Sequence, residues 1–139
     1  MGFLIDTNIL SELQKGERAN IGVRTWYSQC NSDELFLSVL VVGEIRQGIE
    51  RLKRRDPTQA ARLEQRLNDV LTLMQGRILA VTENIAQRWG VLNSPDPLPV
   101  IDGLLAATAL EHGLTLVTRN VRDVQRSGAV LLNPFLDEN

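Results

Sequence analysis

The fold is set near the start of the chain, in the stretch FLIDTNILSE, residues 3–12. A short apolar run ends at the carboxylate of Asp6, two small polar residues follow, and apolar residues then recur with helical spacing. This pattern predicts a strand, a turn and a helix. In an open α/β sheet, ligands bind beyond the carboxyl ends of the strands, where Asp6 stands. Asp6 is therefore either a site residue or a cap that accepts a hydrogen bond from the first turn of the helix.

The same alternation of strands and helices continues along the chain. Short apolar runs predict four further strands, at residues 35–38, 78–81, 114–118 and 129–132. Apolar residues with helical spacing predict helices at about residues 9–14, 19–29, 39–52, 56–75 and 100–113. A further helix is predicted to begin after Thr82. In the second of these helices we expect Ile21, Val23, Trp26 and Tyr27 to face the core. A polar break at residues 53–57 makes the third and fourth helices a protruding helical hairpin.

Alternating elements of this kind predict an α/β fold, in which three α/β/α layers surround a mostly parallel central sheet of about four to five strands. The 139 residues are enough for a single domain, residues 1–139, and 43% of them are hydrophobic. No apolar run approaches the roughly 18 residues that a membrane span needs, and the N-terminus lacks the features of a signal peptide. We therefore expect a cytoplasmic protein with no membrane association.

The composition also limits the chemistry that the chain can carry out. One cysteine, Cys30, and one histidine, His112, are too few for a thiolate or imidazole metal cluster. The net charge of −2 lacks the basic field of a stable, non-specific nucleic-acid binder. A polyanionic substrate would therefore need local help from a metal ion, a basic patch or a partner.

Acidic and polar residues gather at one predicted edge of the sheet. Asp6 ends a strand, Glu44 and Asp102 lie in the first turns of helices that enter from that edge, and other polar residues follow a later strand: Thr118, Asn120 and Asp123. Like charges at close range raise each other's pKa and oppose folding, and a divalent cation removes that cost. Because the ligands on offer are oxygen atoms, the pattern favours Mg²⁺ or Mn²⁺ over zinc, and it suits phosphodiester hydrolysis. Glu44 has a simpler alternative role, stabilising the positive end of its helix.

Five segments of the chain together resemble the successive motifs of PIN-domain proteins, and in particular the VapC-type and FitB-type toxins of bacterial toxin–antitoxin pairs. These segments are LIDTN at 4–8, VGEIRQG at 42–48, IDGLLAATA at 101–109, LVTRN at 116–120 and LNPF at 132–135. The resemblance implies a Mg²⁺-dependent endoribonuclease that forms a homodimer. It also implies silencing by a VapB-type antitoxin, whose C-terminal segment lies over the active-site groove, and a larger assembly of toxin, antitoxin and operator DNA.

The same match implies roles for individual residues. Asp6, Glu44 and Asp102 would be three of the family's acidic metal ligands, with Thr7, Asn8 and Thr118 as polar support. The fourth family carboxylate commonly stands where this chain has Asn120, whose amide oxygen can bind a metal or its waters but carries no charge. Asp123 is the alternative fourth acid. The number of metal ions, one or two, stays open on this comparison.

Basic residues rim the helical hairpin, and in a chain with an acidic net charge they are its only sizeable basic feature: Arg51, Lys53, Arg54, Arg55, Arg62 and Arg66. We predict that Arg46, Arg54 and Arg55 guide RNA or receive groups of the antitoxin. The alternative is an ordinary solvated helix face.

Two other functions compete with ribonuclease activity. The first is a PIN-fold binding module that has lost its activity because Asn120 replaces the fourth acid. The second is a phosphatase or receiver-like domain in which Asp6 is a nucleophile. The dehalogenase-type phosphatase pattern needs an acid where Asn8 stands, and a receiver needs a lysine beyond a late strand, whereas the last lysine here is Lys53.

Overall fold

A five-stranded parallel sheet forms the centre of the structure, a computed structural model that describes residues 2–136. Its strands lie in the order β3-β2-β1-β4-β5. All four neighbouring pairs are parallel, and Leu4 of the central strand β1 lies beside Phe36 of β2 and Leu116 of β4. The strands are β1 (Phe3–Ile5), β2 (Leu35–Ser38), β3 (Ile78–Leu79), β4 (Thr115–Val117) and β5 (Leu131–Leu132). The predicted α/β class and parallel sheet are therefore confirmed, with β3 and β5 shorter than the apolar runs that contain them.

Helices follow the strands and cover the sheet. They are α1 (Thr7–Leu13), α2 (Ile21–Ser28), α3 (Val39–Lys53), α4 (Pro57–Leu73), α5 (Glu83–Leu92), α6 (Val100–His112) and α7 (Val121–Val124). Side chains that accept hydrogen bonds from free N–H groups cap the starts of five of them: Asp6, Asn20, Ser38, Asp56 and Thr82. The sequence predicts all of these helices except α7, because a single turn is too short to show a helical period. None of the helices between residues 2 and 136 has the length and apolarity that crossing a bilayer demands.

The main core lies between the sheet and the helices packed on it. Leu4, Leu105, Leu116 and Val117 are almost completely buried there, and small residues of α6 let that helix approach the sheet closely: Ala106, Ala107 and Ala109. The hairpin of α3 and α4 has a small core of its own around Ile49, Ala60 and Leu67. The base of the hairpin also packs against the main core, through Val41 and Met74.

Helix α2 buries less than the sequence predicts. Val23 is fully buried and Trp26 packs edge-on against Phe3 at 5.5 Å between ring centroids, as expected for core residues. Ile21 is 58% exposed and Tyr27 is 42% exposed, so their predicted core positions are wrong. At 3.6 residues per turn, Ile21 lies on the side of α2 opposite Val23 and Trp26, and Tyr27 lies at the edge of the buried side.

The C-terminal segment, residues 133–136, is held against the start of α2. The side-chain amide of Asn20 donates to the carbonyl of Leu136 at 2.8 Å, and its oxygen accepts from the Leu136 N–H at 3.0 Å. A Cβ atom at Gly22 would lie 2.2 Å from the carbonyl oxygen of Pro134, so only glycine permits this approach. Asn20 therefore joins helix α2 to the far end of the described chain.

Candidate functional site

Asp6 lies where β1 ends and α1 begins, and it is only 5% exposed. One carboxylate oxygen accepts from the Thr7 N–H at 2.7 Å, and the other accepts from the Thr118 hydroxyl at 2.7 Å and from the Asn8 side-chain amide at 3.3 Å. Thr118 is near because β1 and β4 are paired, with Ile5 beside Val117. Asp6 is thus the cap of α1, as one of the two predictions has it, and it is also a buried carboxylate at the carboxyl edge of the sheet.

Glu44 reaches the same place from the second turn of α3. The Thr7 hydroxyl donates to Oε1 of Glu44 at 2.6 Å, which joins the start of α1 to α3. No acidic residue lies in the first turn of α3. Because the favourable effect of a helix N-terminus fades within that turn, helix-dipole stabilisation does not account for Glu44.

Asn8 links the start of α1 to the turn that follows β4. Its amide nitrogen lies 3.3 Å from Asp6 Oδ2 and 3.5 Å from the Thr118 hydroxyl, and its oxygen accepts from the Arg119 N–H at 3.1 Å. The Thr118 hydroxyl in turn accepts from the Asn120 N–H at 3.0 Å. The polar residues Thr7, Asn8 and Thr118 therefore fix the orientation of the neighbouring carboxylates.

Asp102 completes the set of predicted acids from the first turn of α6. Its pKa is raised from 3.8 to about 6, first by burial and then by the negative charges of Asp6, Asp123 and Glu44. Asp102 thus lies within electrostatic reach of three other carboxylates. An uncompensated group of this kind opposes folding and attracts a cation.

The segment after β4 presents Asn120 and Asp123 in different ways. Asn120 is exposed at the start of α7, and its side chain makes no capping hydrogen bond. Asp123 lies one turn later in α7, and its negative charge is among those that raise the pKa of Asp102. Helix α7 therefore brings Asp123 to the acidic group, and the sequence gives no sign of this because α7 itself is not predicted.

The geometry fits a hydrated cation better than a fully chelated one. Among the described residues 2–136, no three His, Cys, Asp or Glu side chains form a group that could hold a metal ion. Mg²⁺ commonly keeps several waters and is held by one or two carboxylates together with substrate phosphates. Carboxylates, hydroxyls and an amide around Asp6 and Asp102 supply the hard oxygen atoms that such an ion and its waters prefer.

The three predicted basic contacts lie on the hairpin and differ in their surroundings. Arg46 is already engaged in ion pairs with Glu64 at 2.5 Å and Glu50 at 3.4 Å, between α3 and α4. Arg54 and Arg55 are exposed at the tip of the hairpin, between the two helices. Of the three, these two are the ones whose charges are open to a ligand.

Two further surfaces were not predicted from the sequence. One is an apolar groove of about 370 Å³ between α1, α2 and α4, which includes Leu10, Leu13, Tyr27, Leu73 and Met74. Leu73 is 63% exposed there. The other is a polar cavity beside Arg119, whose guanidinium group lies 4.5 Å from the centre of the Phe135 ring. Both surfaces join residues that are far apart in sequence, so no local pattern predicts them.

Comparison with known proteins gives consistent matches along nearly the whole chain. A sequence model of the PIN domain matches residues 3–127. The toxin FitB of Neisseria gonorrhoeae is 30% identical, with 96% of this chain and 99% of that protein covered. The VapC ribonuclease Y4jK of Sinorhizobium fredii is 31% identical, with 95% of this chain and 96% of that protein covered.

Solved structures agree with these matches. The crystal structure of FitAcB from Neisseria gonorrhoeae superposes with a TM-score of 0.87 at 30% identity, covering 95% of this chain and 97% of that one. A toxin–antitoxin complex from Klebsiella pneumoniae gives a TM-score of 0.74 at 26% identity, covering 98% of this chain and 100% of that one. The overall fold described above is therefore shared with proteins of known structure.

Proposed function

Because this chain belongs to the PIN-domain family, we propose that it is a divalent-metal-dependent endoribonuclease that acts as the toxin of a toxin–antitoxin pair. The observation that carries the proposal is the buried carboxylate of Asp6 at the carboxyl edge of the sheet, which Thr7 joins to Glu44 by two hydrogen bonds. The charges of Asp6, Asp123 and Glu44 also act on Asp102 and help to raise its pKa. Nothing in a stable fold requires four acids at one edge, whereas phosphodiester hydrolysis with a divalent cation does require a negative, oxygen-rich site.

In this proposal Asp6, Glu44 and Asp102 hold Mg²⁺ or Mn²⁺ directly or through its waters, and Asp123 adds negative charge. The bound ion would activate water and offset the charge that develops on the phosphate and leaving oxygens. Thr118 and Asn8 keep Asp6 in one orientation through hydrogen bonds to the same carboxylate oxygen. Thr7 holds Glu44 in the same way. Fixed ligands of this kind keep the site organised before substrate arrives.

The apolar groove supports the antitoxin as a partner. A groove between helices with exposed Tyr27 and Leu73 suits the apolar face of an amphipathic segment. We propose that a VapB-type antitoxin fills this groove and continues over the carboxylates. A homodimer of the toxin, bound with antitoxin to operator DNA, would be the full assembly.

A cleavage assay tests the enzymatic part of the proposal. The purified protein should cut single-stranded RNA in Mg²⁺ or Mn²⁺ and lose this activity in EDTA. Asp6→Asn and Asp102→Asn should each lower the rate by about a hundredfold or more, because each removes a charged ligand. Asp33→Asn, which alters an exposed acid outside the site, is the matched control. Undiminished cutting in EDTA would refute the mechanism, and absence of cutting by the unaltered protein would favour the binding module.

The hairpin has its own test. Arg54→Glu together with Arg55→Glu should weaken the binding of RNA or of the antitoxin, since both charges are exposed and reverse in sign. Unchanged affinity for both would make these residues an ordinary solvated face.

A further inference from the structure

A basic trough runs along α1, and the carboxylate site does not account for it. The polar cavity beside Arg119 has a volume of about 340 Å³ and is also lined by Lys15, Arg18 and Glu12. A neighbouring cavity of about 500 Å³ shares Lys15 and Arg18 and extends to Arg66 of α4. Four cations thus line two adjoining cavities, and we call this surface the basic trough: Lys15, Arg18, Arg66 and Arg119.

Two cations of the trough have N–H groups available to a ligand, although the charge of Arg119 also acts on Glu12 and helps to lower its pKa. Among residues 2–136, neither the Arg18 side chain nor the Arg119 guanidinium forms a hydrogen bond or ion pair. Lys15, in contrast, is bound to Glu12 at 2.9 Å. Stacking on Phe135 holds the guanidinium of Arg119 in place at 4.5 Å and leaves its N–H groups unused. A planar, oriented guanidinium with free donors is the group best suited to bidentate contact with a phosphate.

The wall of the trough is rigid because hydrogen bonds of the buried residues Glu12 and Asn20 hold its residues in place. Glu12 is 8% exposed and accepts from the Asn20 N–H at 2.7 Å, while Asn20 holds the carbonyl and N–H of Leu136. This places Phe135, and with it Arg119, at a fixed position. A pre-organised site loses less conformational entropy when a ligand binds.

The inner end of the trough adjoins the carboxylates. The Arg119 N–H donates to Asn8 at 3.1 Å, and Asn8 donates to Asp6 at 3.3 Å, so two hydrogen bonds connect the trough to the centre of the acidic site. On the strength of the proposed function, we propose that the basic trough binds backbone phosphates of the RNA that flank the phosphodiester to be cut. The chain has a net charge of −2, so this local group of cations supplies the attraction that the molecule as a whole lacks.

Binding of a 2′-O-methyl oligoribonucleotide, which cannot be cleaved, tests the proposal in the presence of Mg²⁺. Arg18→Gln and Arg119→Gln should each weaken binding by about fivefold to tenfold at moderate salt, because each removes a charge-assisted hydrogen bond to a phosphate. The slope of log affinity against log salt should fall by about 0.7 for each phosphate that the variant no longer neutralises. Arg119→Lys should bind more tightly than Arg119→Gln, since it keeps the charge.

The matched control is Arg88→Gln, which removes the same charge from α5, where Arg88 faces Glu111 at 3.8 Å outside the trough. Arg18 is exposed and makes no contact that the fold needs, so Arg18→Gln keeps the test valid if Arg119→Gln unfolds. Trough variants that bind RNA no more weakly than Arg88→Gln would overturn the proposal. An oligoglutamate that binds as tightly as the RNA, and is weakened as much by the same variants, would also overturn it in favour of a carboxylate-binding surface.

The two proposals fail separately. If the unaltered protein binds RNA through Arg18 and Arg119 but never cuts it, RNA binding by the trough is supported and the nuclease assignment is refuted. If the protein cuts RNA in a metal-dependent way and the trough variants bind RNA like the control, the nuclease assignment is supported and the proposed RNA binding by the trough is refuted.

Discussion

Asp102→Asn should make the metal-free protein more stable while it lowers the cleavage rate by about a hundredfold or more. The carboxylate of Asp102 is partly buried and is repelled by Asp6, Asp123 and Glu44, so its pKa is raised from 3.8 to about 6. In the unfolded chain the same group has an ordinary pKa. The folded state therefore binds a proton more tightly than the unfolded state, and asparagine, which is neutral at every pH, removes both the cost of burying the charge and the repulsion.

The size of the effect follows from the pKa. A rise from 3.8 to about 6 corresponds to at most about 3 kcal/mol above pH 6, at about 1.4 kcal/mol per pKa unit. Asp102 is only partly buried, so solvent screening reduces this to about 1–2 kcal/mol. The start of α6 favours the charge by about 0.3–1 kcal/mol. The net gain expected for Asp102→Asn is about 1 kcal/mol, or about 3 °C in Tm for a chain of this length.

The dependence on pH has a definite sign. Because the folded pKa is the higher one, the contribution of Asp102 to stability is fully present below pH 3.8 and is lost as the pH rises through about 6. Urea unfolding in EDTA should therefore show the variant and the unaltered protein converging towards pH 4 and differing most above pH 7. Added Mg²⁺ should narrow the difference by stabilising the unaltered protein more. A variant that is equally or less stable at pH 7.5 in EDTA, relative to the control Asp33→Asn, would refute the destabilising effect assigned to the Asp102 charge.

Three further outcomes are expected. Thr118→Val removes a buried hydroxyl that donates to Asp6. It should lower the free energy of unfolding, measured in urea, by about 1–2 kcal/mol and the cleavage rate by about tenfold. An unchanged rate would mean that Asp6 is oriented without this hydroxyl. Gly22→Ala forces a Cβ against the C-terminal segment and should lower stability by about 2 kcal/mol or more, whereas Gly48→Ala, which has open space around it, should be neutral or stabilising. Asp123→Asn should lower the pKa of Asp102 towards its ordinary value and weaken Mg²⁺ binding, as followed by NMR titration; an unaltered pKa would exclude Asp123 from the acidic group.

The sequence predicts the parts of the site that lie at the ends of strongly patterned elements. Asp6 follows an apolar strand and Asp102 begins a long apolar helix, so both positions can be predicted before the strands are paired. Parallel pairing of β1 with β4 then brings Thr118 to Asp6. The α/β class, the order of elements and the hairpin follow from the same periodicities.

Features that depend on short elements or distant contacts cannot be predicted in this way. Helix α7 is a single turn, so the sequence leaves the choice between Asn120 and Asp123 open, whereas the structure shows the charge of Asp123 acting on Asp102. Arg119 gains its fixed position from Phe135, which belongs to another part of the chain. Tyr27 has the apolar character of a core residue but lies beside a groove, where burial would depend on a partner.

The central position of β1 has a consequence for how the protein is made. Residues 3–5 are synthesised well before residues 115–117, yet β1 has β4, which consists of those later residues, as one of its two neighbours. More than a hundred further residues must therefore be synthesised before Thr118 can donate its hydrogen bond to Asp6. Since a domain of this size folds as a unit, a nascent or prematurely terminated chain has no assembled site. The site proposed to cut RNA is thus incomplete until β4 and Thr118 have been synthesised and have paired with β1.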